Sequence, residues 1–130
     1  IAKAVSFNLP ISIKHSTEVC NFIRGKNLTK VKALLNLVIN KKTAVPYKRY
    51  NRDLGHKKGI AAGRYPIKAC QYILEVLDSA EANADFKGLD STKLKITKVI
   101  ANKGTNMWHQ GRKRRRRMKR THIEVQVEET

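Results

Sequence analysis

LKITKVIANKGTNMWHQGRKRRRRMKRTHIEVQV, residues 94–127, is the stretch on which the fold turns. Its two ends read as strands: Leu94 to Ile100 is rich in β-branched residues, and in Thr121 to Val127 the apolar Ile123, Val125 and Val127 alternate with polar neighbours. Between them, Lys103 to Arg120 holds nine basic residues and no acidic one, half of the formal net charge of +18. A charge block of this kind is normally a disordered tail, because self-repulsion and a lack of apolar groups leave nothing to offset the entropy of ordering. Here it is bracketed by strands and reads instead as the tip of a projecting β-hairpin, spanning about residues 94–128 with its tip at 103–120. If both arms continue at about 3.3 Å per residue, the tip stands up to roughly 30 Å from the sheet. Met107, Trp108 and Met118 are its only large apolar side chains, so the arm has almost no core and needs a polyanion to wrap it. Val99 is out of phase with Leu94 and Ile96, which predicts a bulge or a strand covered on both faces.

Upstream of the hairpin, helical periodicity dominates. Pro66 suits the first turn of a long helix in which Ile67, Cys70, Ile73, Leu74, Leu77, Ala80 and Ala84 recur at spacings of three and four, ending at Gly88. Its acids Glu75, Asp78, Glu81 and Asp85 fall on the outward side. Two shorter helices precede it. Ser12 reads as the N-cap of the first, with Ile13, Ser16, Val19, Cys20 and Ile23 on one face and Arg24-Gly25-Lys26 as its end. Asn27 reads as the cap of the second, which explains the Asn-Leu-Thr triplet better than glycosylation does; Leu28, Val31, Leu34, Leu35, Val38 and Ile39 form its stripe, with Lys30, Lys32 and Asn36 outward. Residues 3–11 suit a short edge strand limited by Pro10. The expected architecture is one α+β domain over residues 1–130, three helices packed on one face of a small antiparallel sheet from which the long hairpin projects.

Charge narrows the function. The excess is +8 over residues 41–68 and +9 over 103–120, and those two segments contain a single acid, Asp53. A solvated protein surface mixes signs, whereas clustered Lys and Arg are the electrostatic footprint of a nucleic-acid binder. No apolar run is long enough to span a bilayer, so a membrane partner is not expected.

From Thr43 to Tyr65 periodicity disappears, and a loop this long is uncommon without a function. Tyr47, Tyr50 and Tyr65 are interleaved with Lys48, Arg49, Arg52, His56, Lys57, Lys58 and Arg64, the mixture of stacking faces and cations that irregular RNA uses. Gly55, Gly59 and Gly63 do not make a nucleotide phosphate loop, since neither a Lys-Ser/Thr pair nor a preceding strand accompanies them. His15, His56, His109 and His122 share no ligand or triad spacing, and the acids are dispersed, so neither catalysis nor a metal ion nor any other cofactor is expected. Cys20 and Cys70 lie on apolar helix stripes without metal-site spacing and read as core residues in a reducing compartment.

Five segments in order carry a resemblance. Arg24-Gly25-Lys26 after an apolar helix, VPYKRYNRDLGHKKG at 45–59, AGRYP at 62–66, DSAEANADFKGLD at 78–90 and THIEV at 121–125 closely resemble the universal large-subunit ribosomal protein L twenty-two family, called L seventeen in eukaryotes, in its archaeal form. The resemblance implies a cytoplasmic, ribosome-bound structural protein whose body sits on large-subunit ribosomal RNA beside other large-subunit proteins. It also implies a hairpin threading inward toward the nascent peptide in the exit tunnel. The matching motifs carry RNA contact onto Arg24, Lys26, Arg49, Arg52, His56, Lys57, Lys58 and Arg64. The basic loop adds Tyr47, Lys48 and Tyr50, and the hairpin adds Lys103, Trp108, Arg112, Lys113, Arg114, Arg115, Arg116, Arg117, Lys119 and Arg120. Where the family's returning arm carries a Pro-Arg-Ala-x-Gly-Arg run, this chain has Gly111 followed by Arg112-Lys113-Arg114-Arg115-Arg116-Arg117. The competing class is a free-standing basic RNA chaperone or nucleoid-type protein.

Overall fold

Residues 1–130 are described by a computed structural model. The alternating run at the start forms β1 (Ala2–Leu9), with Ala2 and Ala4 buried and their neighbours exposed. Helix α1 (Ile13–Ile23) follows; Ser12 occupies its N-cap but its hydroxyl makes no capping bond, and Gly25, at φ +78°, turns the chain out of the helix. Asn27 behaves as its residue type dictates, its Oδ1 accepting from the Thr29 and Lys30 N–H groups at the start of α2 (Leu28–Ile39). The joint between the helices has a second role: Gly25 N–H donates to Ile96 O, and Ile96 N–H donates to Lys26 O, which covers part of a sheet edge.

Thr43 to Tyr65 is not wholly irregular. It contains β2 (Val45–Pro46), β3 (His56–Lys57) and β4 (Ala61–Arg64), a small antiparallel sheet in the order β2-β4-β3. Two-residue ladders are too short to leave a period in the sequence, which is why the segment reads as a loop. Gly63 is required there: a Cβ would lie 2.6 Å from the Ile60 side chain and 3.0 Å from Val45 O. Helix α3 (Ile67–Phe86) then runs along the body, with Pro66 just ahead of it in the N-cap position rather than inside its first turn, and Gly88 at φ +74° beyond it.

The main sheet has the order β1-β6-β5, with β5 (Leu94–Lys103) and β6 (Thr121–Glu129) forming the expected hairpin and β6 in the centre. The β5–β6 register skips between Ile96 and Lys98, leaving Thr97 as a bulge and returning Val99 to the buried face. Leu94, Ile96, Val99, Ile123, Val125 and Val127 are all fully buried, each contributing about 1.5–3 kcal/mol relative to exposure. Helix α1 lies against β5, α3 crosses β1 and β6, and α2 packs on α3. Lys95, Thr97, His122, Glu124 and Gln126 occupy the opposite, wetter face.

Two expectations about the helices change in detail. Lys32 does not point into solvent but bridges α2 to α3, its Nζ 2.5 Å from Asp78 and also paired with Glu81, so only part of the acidic face of α3 is free. Both cysteines are buried in the core, and burial pushes each thiol up to about 12. No helix is long and apolar enough to cross a membrane.

Candidate nucleic-acid interface

The basic loop is held by a residue that composition does not single out. Glu18, near the middle of α1, is 1% exposed, and its carboxylate accepts from three consecutive backbone N–H groups: Lys48 and Arg49 at 2.9 Å and Tyr50 at 3.0 Å. A buried carboxylate is tolerable only when its lone pairs are met, and here main-chain donors meet them. The loop is therefore fixed through its backbone. The side chains of Lys48 and Arg49 remain exposed and that of Tyr50 half-buried.

Tyr47 needs correction as a stacking residue. Its ring is only 3% exposed, and its hydroxyl lies 2.5 Å from His15 Nδ1. Burial raises the phenol's pKa well above the ordinary tyrosine value, so the phenol stays neutral in its hydrogen bond with the imidazole. Tyr47 thus braces the floor of a cleft of about 540 Å³ whose walls include Lys14, Arg49, Arg52, Arg64 and Lys119. Two further hollows adjoin it. One, of about 330 Å³, adds Lys68 at the start of α3; the other, of about 230 Å³, adds Lys103 and Arg120 at the hairpin base. Ser12 and Lys119 border all three, and no acidic residue lines any of them. The two basic segments, separated by more than thirty residues in the chain, meet at Lys119.

The other proposed residues lie outside this trough. Arg24 donates from Nη2 to Val99 O at 2.9 Å, and Lys26 sits with Nζ 4.0 Å from the Phe22 ring centroid, so both partly serve the joint against β5. His56 on β3 and Lys58 in the turn after it are exposed, and Lys57 lies over Tyr65 at 5.2 Å. The hairpin leaves the sheet through a tight gate. Gly104 N–H donates to Arg120 O, Thr105 N–H donates to Asn8 Oδ1, and a Cβ on Gly104 would come within 2.8 Å of that same oxygen. Continuous pairing stops at Lys103↔Thr121 and resumes only as a Trp108↔Arg117 bridge, so the tip is less regular than two uninterrupted nine-residue arms. Arg112, Lys113, Arg114, Arg115 and Arg116 are exposed there, while Arg117 covers one face of Trp108 at 4.5 Å.

Lys14, His15, Lys68 and Glu18 are the functional residues that sequence reasoning misses. Lys14 is an isolated cation on a helix that only tertiary packing carries to the loop, whereas Lys68 ends the basic segment 41–68 and borders the second hollow from the start of α3. His15 carries a pH signature: its pKa is lowered by burial first and then by Arg64 and Lys119. The unfolded chain therefore takes up this proton more readily than the folded one, so the stability it contributes is present above the ordinary histidine value of 6.5 and is lost as pH falls below it. Thermal melts of the free protein are expected to show a lower Tm at about pH 5.5 than at about pH 7.5, with the difference reduced in His15→Gln. An undiminished difference in that variant would assign the effect to other groups.

An acid-free trough, a backbone-anchored basic loop and a basic hairpin together make a surface complementary in charge to a polyanion. The family model of "Ribosomal protein L22p/L17e" matches residues 4–128. The chain is 45% identical to the large ribosomal subunit protein uL22 of Ignicoccus hospitalis, over 98% of this chain and 87% of that one. It is 43% identical to the protein of the same name from Staphylothermus marinus, over 99% and 89%, and 51% identical to that of Methanosphaera stadtmanae, over 80% and 70%. The chain belongs to the L22p/L17e family of ribosomal proteins, a structural family and not one of enzymes.

Proposed function

We propose that this protein is a structural constituent of the large ribosomal subunit in the cytoplasm, binding large-subunit ribosomal RNA along the trough and through the hairpin. The observation that carries this reading is the meeting of loop and hairpin cations at Lys119 in a trough without an acid. RNA phosphates following that path would neutralise both segments at once and release their condensed counterions. The exposed arginines of the tip would enter RNA beyond the body, bringing the tip to the exit tunnel and the nascent peptide, and the remaining surface would face neighbouring ribosomal proteins. In this role the protein supports subunit assembly and translation.

Sedimentation of cell lysate through a salt-containing gradient tests the reading. The protein is expected to co-migrate with large subunits at salt that strips loosely bound proteins. Recovery at the top of the gradient would favour a free-standing RNA chaperone instead.

A further inference from the structure

The cleft of about 540 Å³ is far roomier than a single phosphate group needs, and its size lies within the roughly 300–1,000 Å³ range of small-molecule sites. Its lining is also divided by chemistry: the aromatic rings of Tyr47 and Tyr50 and the side chain of Leu54 supply apolar surface, while Arg49, Arg52, Arg64 and Lys119 supply positive charge. A smooth helical backbone presents phosphates and ribose hydroxyls and would leave the apolar part unused. We propose that this cleft receives one nucleotide turned out of the RNA stack, its phosphate held by Arg64 and Lys119 and its base laid against Tyr50. The inference rests on the RNA-binding reading above and names a subsite within it.

Three features make the cleft ready-made. Glu18 holds the backbone of residues 48–50, so Tyr50 is presented from a fixed loop. The Tyr47–His15 hydrogen bond fixes the floor. Lys14 Nζ and Arg49 Cζ lie over the Tyr50 ring at 5.9 and 5.4 Å from its centroid, so a base seated there would share the ring with two cations that add their charge to it and to its phosphate. Unstacked bases are recognised in RNA by such aromatic and guanidinium planes.

The free full-length protein, titrated calorimetrically with adenosine 5′-monophosphate and separately with inorganic phosphate, tests the proposal. The nucleotide is expected to bind about tenfold or more tightly than phosphate, the difference being the stacked base. Tyr50→Leu should abolish that advantage and leave phosphate binding unchanged, whereas Tyr50→Phe should keep it; the anchoring bond uses the Tyr50 backbone, so neither change removes it. Arg64→Ser combined with Lys119→Ser should weaken both ligands. Lys30→Ser, on the exposed side of α2 away from the cleft, should affect neither. Equal affinity for nucleotide and phosphate, or a nucleotide preference that survives Tyr50→Leu, overturns the proposal. These titrations contain no ribosome, so a protein that passes them yet fails to co-migrate with large subunits would sink the ribosomal role and not the cleft.

Discussion

Glu18→Ala should destabilise the free protein by about 3 kcal/mol, lowering its Tm by about 10 °C. The substitution deprives the Lys48, Arg49 and Tyr50 N–H groups of their common acceptor and leaves a void where a fully buried side chain stood. Glu18→Gln should lose roughly half as much, because one carbonyl oxygen remains but an NH₂ group replaces the other acceptor. Calorimetric melts of the three proteins give the ranking directly. The loop should also loosen, so hydrogen exchange at residues 48–50 should accelerate more than at the core strands. A Glu18→Ala protein that melts like the parent would mean that the carboxylate does not hold the loop.

Replacing Arg114, Arg115, Arg116 and Arg117 together by Ser should produce the opposite separation of effects. These side chains are exposed and the core strands lie outside the tip, so the Tm of the free protein should stay nearly constant or rise as like charges are removed. Against this stands only the stacking of Arg117 on the half-exposed Trp108, worth about 0.5–1 kcal/mol at such a site. RNA binding should respond strongly: if each arginine neutralises one phosphate, the slope of log affinity against log salt should flatten by about 3–4 units, at roughly 0.7–0.9 per phosphate. Arg49→Ser with Arg52→Ser, in the body, should flatten it by about 1–2 units. Unfolding of the tip variant would place these arginines in the fold rather than in the RNA.

The contrast between these two sites shows what the amino-acid sequence discloses. The three helices are legible because their stripes repeat over many residues and because Asn27, Gly25 and Gly88 punctuate them with local chemistry. The bulge at Thr97 is legible because a period of two makes one misplaced valine conspicuous. The basic character of the interface can be read from charge alone, since runs of like sign survive without knowledge of the fold. Its construction cannot. Glu18 is a lone acid beside an apolar stripe, and its meaning depends on main-chain donors thirty residues away. Tyr47 looks like Tyr50 in the sequence, yet one ring is buried under the floor of the cleft and the other is half-exposed in its wall. Lys14 of α1, Arg64 of β4 and Lys119 of the hairpin line one cleft from three separate parts of the chain, and nothing local records that they converge.

The central position of β6 also constrains when the protein can fold. β6 is the last strand in order, yet it is the only one that pairs with both β1 and β5, joining Ala2 to Val127 and Leu94 to Glu129. During synthesis the helices and β1 emerge first, but the sheet against which they bury their apolar faces lacks its middle until residues 121–129 are available. Closing the sheet across more than a hundred residues carries a loop-entropy cost that local helix formation does not offset, so sheet assembly should be slow and late. Until then the newborn chain exposes apolar stripes beside a dense run of arginine. That combination would expose it to chaperones and stray RNA, with escape from both waiting on completion of a single strand.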